Sequence, residues 1–211
     1  MKYKLISFEG IDGVGKSTIT NHLKNKMEEN QIKVYQTRDP IRNINPWSKL
    51  YDLFEECEKI DKVSEALLLL SVRIDNYQRI LKQKIENGYL IISDRFVDSW
   101  FAYQSIRLSE YFGNENNALN FLISTHKNFV DQGLLIDPNK TIYLKSDPEI
   151  SIKRVKGISK YEKLEFQKKV QNQYDIISEI FPDRIIKIDT CNKSLEKVIE
   201  NVKEVLEFSH N

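Results

Sequence analysis

The segment Gly10-Ile11-Asp12-Gly13-Val14-Gly15-Lys16-Ser17 constrains this chain more than any other feature. It satisfies the spacing GxxxxGK[ST] in full, between an apolar run from Tyr3 to Phe8 and a helical pattern from Ser17 to Glu29. Glycines let a backbone wrap closely around a phosphate, and successive N–H groups point inward where a helix begins. A lysine at the end of such a loop reaches β- and γ-phosphates, and the following hydroxyl ligates Mg²⁺. Gly10, Asp12, Gly13, Val14, Gly15, Lys16, Ser17 and Thr18 are therefore expected to hold a nucleoside triphosphate, with ATP the expected donor.

The rest of the chain supplies a fitting frame. Tyr3 to Phe8, Lys33 to Thr37, Tyr89 to Ser93, Thr141 to Lys145 and Arg184 to Ile188 read as strands, with helical patterns between them. Strands so spaced need crossover helices, which predicts an α/β fold: a five-stranded parallel, doubly wound sheet with helices on both faces. The 211 residues contain no repeat, and 7 Gly and 5 Pro are too few for a linker, so residues 1–211 are expected to form one domain. A long helix from Asp61 to Asn87 carries Val63, Leu67, Leu70, Ile74, Tyr77 and Leu81 at alternating spacings of four and three. Such a stripe fits either a buried face or a helix-on-helix contact in a dimer.

Charge narrows the partners. Lys+Arg (32) and Asp+Glu (31) nearly cancel, whereas a duplex-binding protein carries a cationic excess. A mononucleotide needs only a local positive site. Cys57 and Cys191 lie far apart with no metal-ligand spacing and read as reduced structural thiols. No apolar run approaches the ~20 residues that span a bilayer. The N-terminus runs straight into the glycine-rich motif with no cleavable leader pattern, so a cytoplasmic location is expected.

Asp94-Arg95 closes the apolar run Leu90-Ile91-Ile92-Ser93, and ligands gather at the carboxyl ends of strands in open α/β sheets. Asp94 is thus placed to hold Mg²⁺ with Ser17, and Arg95 to meet a phosphate. Arg38, Arg73 and Arg95 supply three bidentate forks suited to a phosphate dianion. Leu69 and Arg73 lie four apart on the long helix, and Trp100, Tyr103 and Gln104 share a helical face.

Phe8-Glu9-Gly10 through Thr18 resembles the opening of the thymidylate kinase family, and Thr37-Arg38-Asp39-Pro40 is similar to that family's TREP segment. Asp94-Arg95-Phe96, Ser99 and Ala102-Tyr103-Gln104 resemble its DRY…S…AYQ signature, and Tyr161-Glu162 with Phe166-Gln167 and Tyr174 resembles the segment after its lid. The resemblance implies a P-loop NTPase fold, a short lid near residues 154–161, a homodimer, and transfer of the γ-phosphoryl of ATP to dTMP. It implies that Arg38, Arg73 and Arg95 clamp the acceptor phosphate, that Asp12 touches the sugar 3′-hydroxyl, and that Tyr103 packs on the sugar. It further implies a substrate-binding role for Ser99, a hydrogen bond from Gln104 to the base, and contact of Arg154 with the transferring group.

The chain departs from the family pattern at several points. Leu69 stands where a stacking phenylalanine is usual, Ile41-Arg42-Asn43 replaces two glycines and a threonine, and Trp100-Phe101 occupies small or polar positions. Another pyrimidine deoxynucleotide is therefore an alternative acceptor. A deoxynucleoside kinase, with Asp39 as base, is a second alternative, though a neutral acceptor would leave the arginines uncompensated. A non-catalytic nucleotide-binding subunit is a third, against which the intact Lys16, Ser17, Asp94 and Arg95 speak.

Overall fold

The computed structural model describes residues 3–41, 45–49, 60–155 and 164–206. The five apolar segments are short. Leu5–Phe8, Leu90–Ile92 and Ile142–Leu144 are near-continuous, the pattern of strands buried on both faces, while those beginning at Val34 and Ile185 carry polar residues and are partly exposed. The five form β1 (Leu5–Glu9), β2 (Val34–Arg38), β3 (Leu90–Asp94), β4 (Lys140–Lys145) and β5 (Ile185–Asp189), all parallel in the order β2-β3-β1-β4-β5. The helices are α1 (Lys16–Glu29), α2 (Lys62–Asn76), α3 (Lys82–Glu86), α4 (Val97–Phe112), α5 (Glu115–Asp131), α6 (Pro148–Ile152), α7 (Leu164–Ile180) and α8 (Leu195–Leu206). α1 packs against α8, while α4 packs against α5 and α7. Chain order reverses beside β1, since β3 and β4 flank it, and this switch point opens the crevice into which the glycine-rich loop turns.

Four strands run one residue further than their apolar stretches suggest, ending on Glu9, Arg38, Asp94 and Asp189. Ladder hydrogen bonds do not depend on side-chain polarity, so pairing continues through Phe8↔Asp94 and Arg38↔Asp94. The polar residues that end these strands are the ones presented at the sheet's carboxyl edge.

The long helix is interrupted. Asp61 caps α2 by accepting from the N–H groups of Val63 and Ser64, and a π-helical turn at Tyr77–Leu81 separates α2 from α3. The stripe read from spacing is only partly inside: Leu70 and Leu81 are buried, but Leu67 is 43% exposed. The buried face of α2 instead carries Glu65, Ala66, Leu70, Arg73 and Asn76. Glu65 and Arg73 mislead a hydrophobicity reading, because they are buried against Arg107 and Asp39 rather than for packing. Of the lid expected near 154–161, only Arg154 and Val155 fall among the described residues, and Arg42, Asn43, Cys57, Tyr161 and Glu162 lie outside them.

A buried polar knot ties α4 to the sheet. Arg184 donates to both oxygens of Asp98, at 2.7 and 2.6 Å, and the Thr141 hydroxyl donates to Asp98 at 2.9 Å. Asp98 is fully buried, so its charge depends on these partners. Arg184→Ala is expected to cost about 3–5 kcal/mol in urea unfolding, because it strands a buried carboxylate. Asp98→Leu in that background should restore a large part of the loss.

Candidate active site

The loop after β1 has its shape enforced at two glycines. Gly10 and Gly13 have φ of 133° and 80°, which side-chain-bearing residues rarely adopt. A Cβ at Gly10 would overlap the Leu144 carbonyl, and one at Gly13 the Ser151 carbonyl. The loop is thus pressed against β4 and α6. Lys16 is only 6% exposed, and its ammonium donates to the carbonyls of Gly10 (3.0 Å) and Ile11 (2.8 Å). Burial, with Arg95 nearby, lowers its pKa to about 7 against the pull of Asp12, Asp94 and Glu9. A cation so desolvated gains from an arriving phosphate.

Asp94 ends β3 facing α1. The Ser17 hydroxyl donates to Asp94 Oδ2, while Asp94 Oδ1 is buried without a hydrogen-bond partner among the described residues. A hydroxyl and a carboxylate with one vacant oxygen suit Mg²⁺, which takes one or two protein oxygens and keeps its waters. Among the described residues there is no group of three or more His, Cys, Asp or Glu for a fully protein-held ion.

Arg95 is the centre of the site. Its φ of 71° is uncommon for a non-glycine residue and turns its side chain back over the loop, while its N–H donates to Phe8 O at 3.0 Å. Nη1 donates to Gly10 O (3.1 Å), Ser99 Oγ (3.1 Å) and Tyr174 OH (3.3 Å). Nη2 donates to Asp12 Oδ1 and Tyr103 OH. Asp12 also accepts from Tyr103 OH at 3.2 Å and Gln167 Nε2 at 3.2 Å. Burial alone would raise the Asp12 carboxyl, but Arg95 and Lys16 outweigh it and hold it at about 2. The Tyr103 phenol is pushed well up by burial and stays protonated.

A cavity of about 530 Å³ runs along this edge. Lys16, Ser17, Thr18, Arg38, Asp94, Arg95 and the exposed Arg154 meet there, and Thr190, Lys193, Leu195 and Val198 line its far end. The three expected clamp arginines do not converge. Arg38 and Arg95 line the cavity, but Arg73 does not. Arg73 is 3% exposed, its Nε bonded to the Asp39 carboxylate, with its guanidinium 5.6 and 5.4 Å from the Phe96 and Trp100 rings. One charge is thereby neutralised, which spacing alone cannot reveal. Asp39, the base that a deoxynucleoside kinase would require, is bound in this pair, and burial raises its carboxyl. Leu69 is half-buried against the core, and Ser99 is 8% exposed behind Arg95.

Several participants escaped sequence reading. Glu9 is fully buried behind Arg95, and a carboxylate closing an apolar strand was the available signal. Arg184 and the Thr190–Val198 wall carry no motif at all.

Cations gathered on one phosphate-binding loop, at the carboxyl edge of a parallel sheet, make this a P-loop phosphotransferase. Comparison with known proteins resolves the class. The family model for thymidylate kinase matches residues 8–202. A probable thymidylate kinase of Methanosarcina mazei is 32% identical over 99% of this chain and 98% of its own length. That of Methanosarcina barkeri is 33% identical over 99% of this chain and 98% of its own. A thymidylate kinase of Caldicellulosiruptor saccharolyticus is 32% identical over 98% and 97%. The chain belongs to the thymidylate kinase family.

Gly13→Ala should weaken ATP binding on the order of tenfold or more, through strain at positive φ and overlap with Ser151. Titration calorimetry checks this.

Proposed function

We propose that the chain transfers the γ-phosphoryl group of ATP to dTMP, giving ADP and dTDP. One observation carries the acceptor side. Arg73 Nη1 and Gln104 Oε1 are both buried without a hydrogen-bond partner among the described residues. Each such atom costs about 1–3 kcal/mol until a partner arrives. Gln104 lies one helical turn beyond Trp100, whose ring faces Arg73, so donor and acceptor belong to one neighbourhood. Thymine and uracil offer the complement, a carbonyl at position 4 and an N–H at position 3. Cytosine offers the reverse at both positions.

In this reading Arg38 and Arg95 hold the acceptor phosphate, Arg73 with Gln104 reads the base edge, and Leu69 gives an apolar surface for the base. Asp12 and Tyr103 face the sugar, while Ser99 supports Arg95 from behind. Lys16 and Arg154 oppose charge on the γ-phosphoryl, with Gly10, Gly13, Val14, Gly15, Ser17 and Thr18 around the donor phosphates. Alignment and neutralisation suffice, because a phosphate oxygen is already an ionised nucleophile near neutral pH. Ser17 and Asp94 would hold Mg²⁺, which would supply charge neutralisation to the donor phosphates.

Residues 154–161 act as a lid in this proposal, on one domain spanning the chain. A cytoplasmic homodimer is proposed as well. The exposed Leu67 on α2 supports a second copy there, and no helix of the described residues is long and apolar enough to cross a membrane.

ATP consumption against dTMP, dUMP, dCMP, dGMP and thymidine tests the reading. Turnover of dTMP and dUMP with little of dCMP is expected, whereas a dCMP preference would overturn the base assignment. Turnover of thymidine alone would make Asp39 the residue to mutate. Lys16→Ala should lose about 10²-fold or more in kcat, and near-normal turnover would sink the mechanism.

A further inference from the structure

We infer that Glu9 is a positioning residue for Arg95, its carboxylate fixing the direction of the Ser99 and Tyr174 protons and thereby seating the guanidinium for the acceptor phosphate. The inference rests on the proposed role of Arg95 as a phosphate ligand.

The geometry is a closed count of donors and acceptors. Glu9 Oε1 accepts from the Phe96 N–H at 2.7 Å, at the start of α4, where no side chain of the helix supplies a cap. Glu9 Oε2 accepts from the hydroxyls of Ser99 and Tyr174, the latter at 3.0 Å, and the two hydroxyl oxygens are 2.8 Å apart. Arg95 Nη1 donates to both of these oxygens. A guanidinium only donates, so both hydroxyls must turn lone pairs towards it and direct their single protons elsewhere. An ionised Glu9 permits this because it accepts and never donates.

A glutamine at Glu9 breaks the count. The Phe96 N–H reserves Oε1 as an acceptor, so the amide falls at the Oε2 position and donates its two protons towards Ser99 and Tyr174. One hydroxyl proton is displaced towards Arg95, and the guanidinium loses an acceptor or shifts. A proton added to Oε2 acts more mildly: it removes the negative charge and weakens the acceptor that orients both hydroxyls.

Charge follows the same logic. Burial, then Asp98, raises Glu9 to about 7, against the opposing effects of Ser99, Arg95 and the Phe96 N–H. The groups facing it are Asp98 on α4, Arg95 just before α4, Tyr174 on α7, Lys16 on α1 and Arg184 beside β5. A carboxylate raised this far loses its ionised, Arg95-seating form as pH falls through about 7. Acceptor affinity should therefore weaken on the acid side of neutrality.

Steady-state kinetics of Glu9→Gln and Tyr174→Phe with dTMP and ATP test the inference. Glu9→Gln is expected to raise the KM for dTMP about tenfold at pH 8, the worth of one charge-assisted hydrogen bond. The KM for ATP should stay within about twofold, which a general loss of structure would not allow. Wild type should show a further rise in dTMP KM between pH 7.5 and 6 that Glu9→Gln lacks, and the dianion-to-monoanion change of the substrate, common to both enzymes, cancels in the comparison. Tyr174→Phe keeps the carboxylate, so it should raise the dTMP KM by a smaller factor and keep the pH response. If Glu9→Gln does not fold, Tyr174→Phe alone decides. An unchanged dTMP KM, or an equal rise for both substrates, overturns the positioning role. Wild-type enzyme that ignores dTMP altogether would instead overturn the functional reading, which separates the two failures.

Discussion

A guanidinium buried to 7% exposure has to be compensated on every side, and the site is organised around that demand at Arg95. Asp12 supplies the opposite charge, Gly10 a carbonyl, and Ser99, Tyr103 and Tyr174 the remaining oxygens. These partners come from the phosphate-binding loop, α4 and α7, so one side chain fixes the relation of three segments. The left-handed backbone at Arg95 is the local strain that the cage maintains. Satisfied polar networks of this kind rigidify a site, and a partly satisfied one would cost more than an apolar core.

The same electrostatic economy explains Lys16 and Arg73. Lys16 folds onto loop carbonyls at a depressed pKa, ready to exchange weak dipoles for phosphate charge. Arg73 is held by Asp39 beside two aromatic rings, with Nη1 left without a partner among the described residues. A pair that neutralises its own charge suits recognition of a neutral base better than capture of a dianion. Trp100, bulky where the family is small or polar, provides one of those rings, and its indole N–H is satisfied by Ala66 O at 3.0 Å. Leu69 gives up a stacking ring on α2, and aromatic surface enters the neighbourhood from α4 instead.

The fold was largely readable because its signals are local. Short apolar runs separated by helical patterns specify parallel strands, and the glycine-rich octapeptide specifies its own turn. The strand ends were read one residue short because apolar patterning stops where functional polar residues begin. On α2 the pattern misled for a related reason: Glu65 and Arg73 are inside, bound to Arg107 and Asp39, while Leu67 is outside.

By itself the sequence determined the class of chemistry: a loop for phosphates, a hydroxyl and a carboxylate of the kind that suits a magnesium ion, and arginines in family order. Those are properties of residue type and short spacing. Tertiary structure alone decided that Arg38 and Arg95 line the cavity while Arg73 is paired with Asp39. It also decided that Glu9 lies behind Arg95, and that Asp98 meets an arginine 86 positions away. The physical reason is that the state of a buried charge depends on the groups around it in space, and those are set by the packing of whole helices on the sheet.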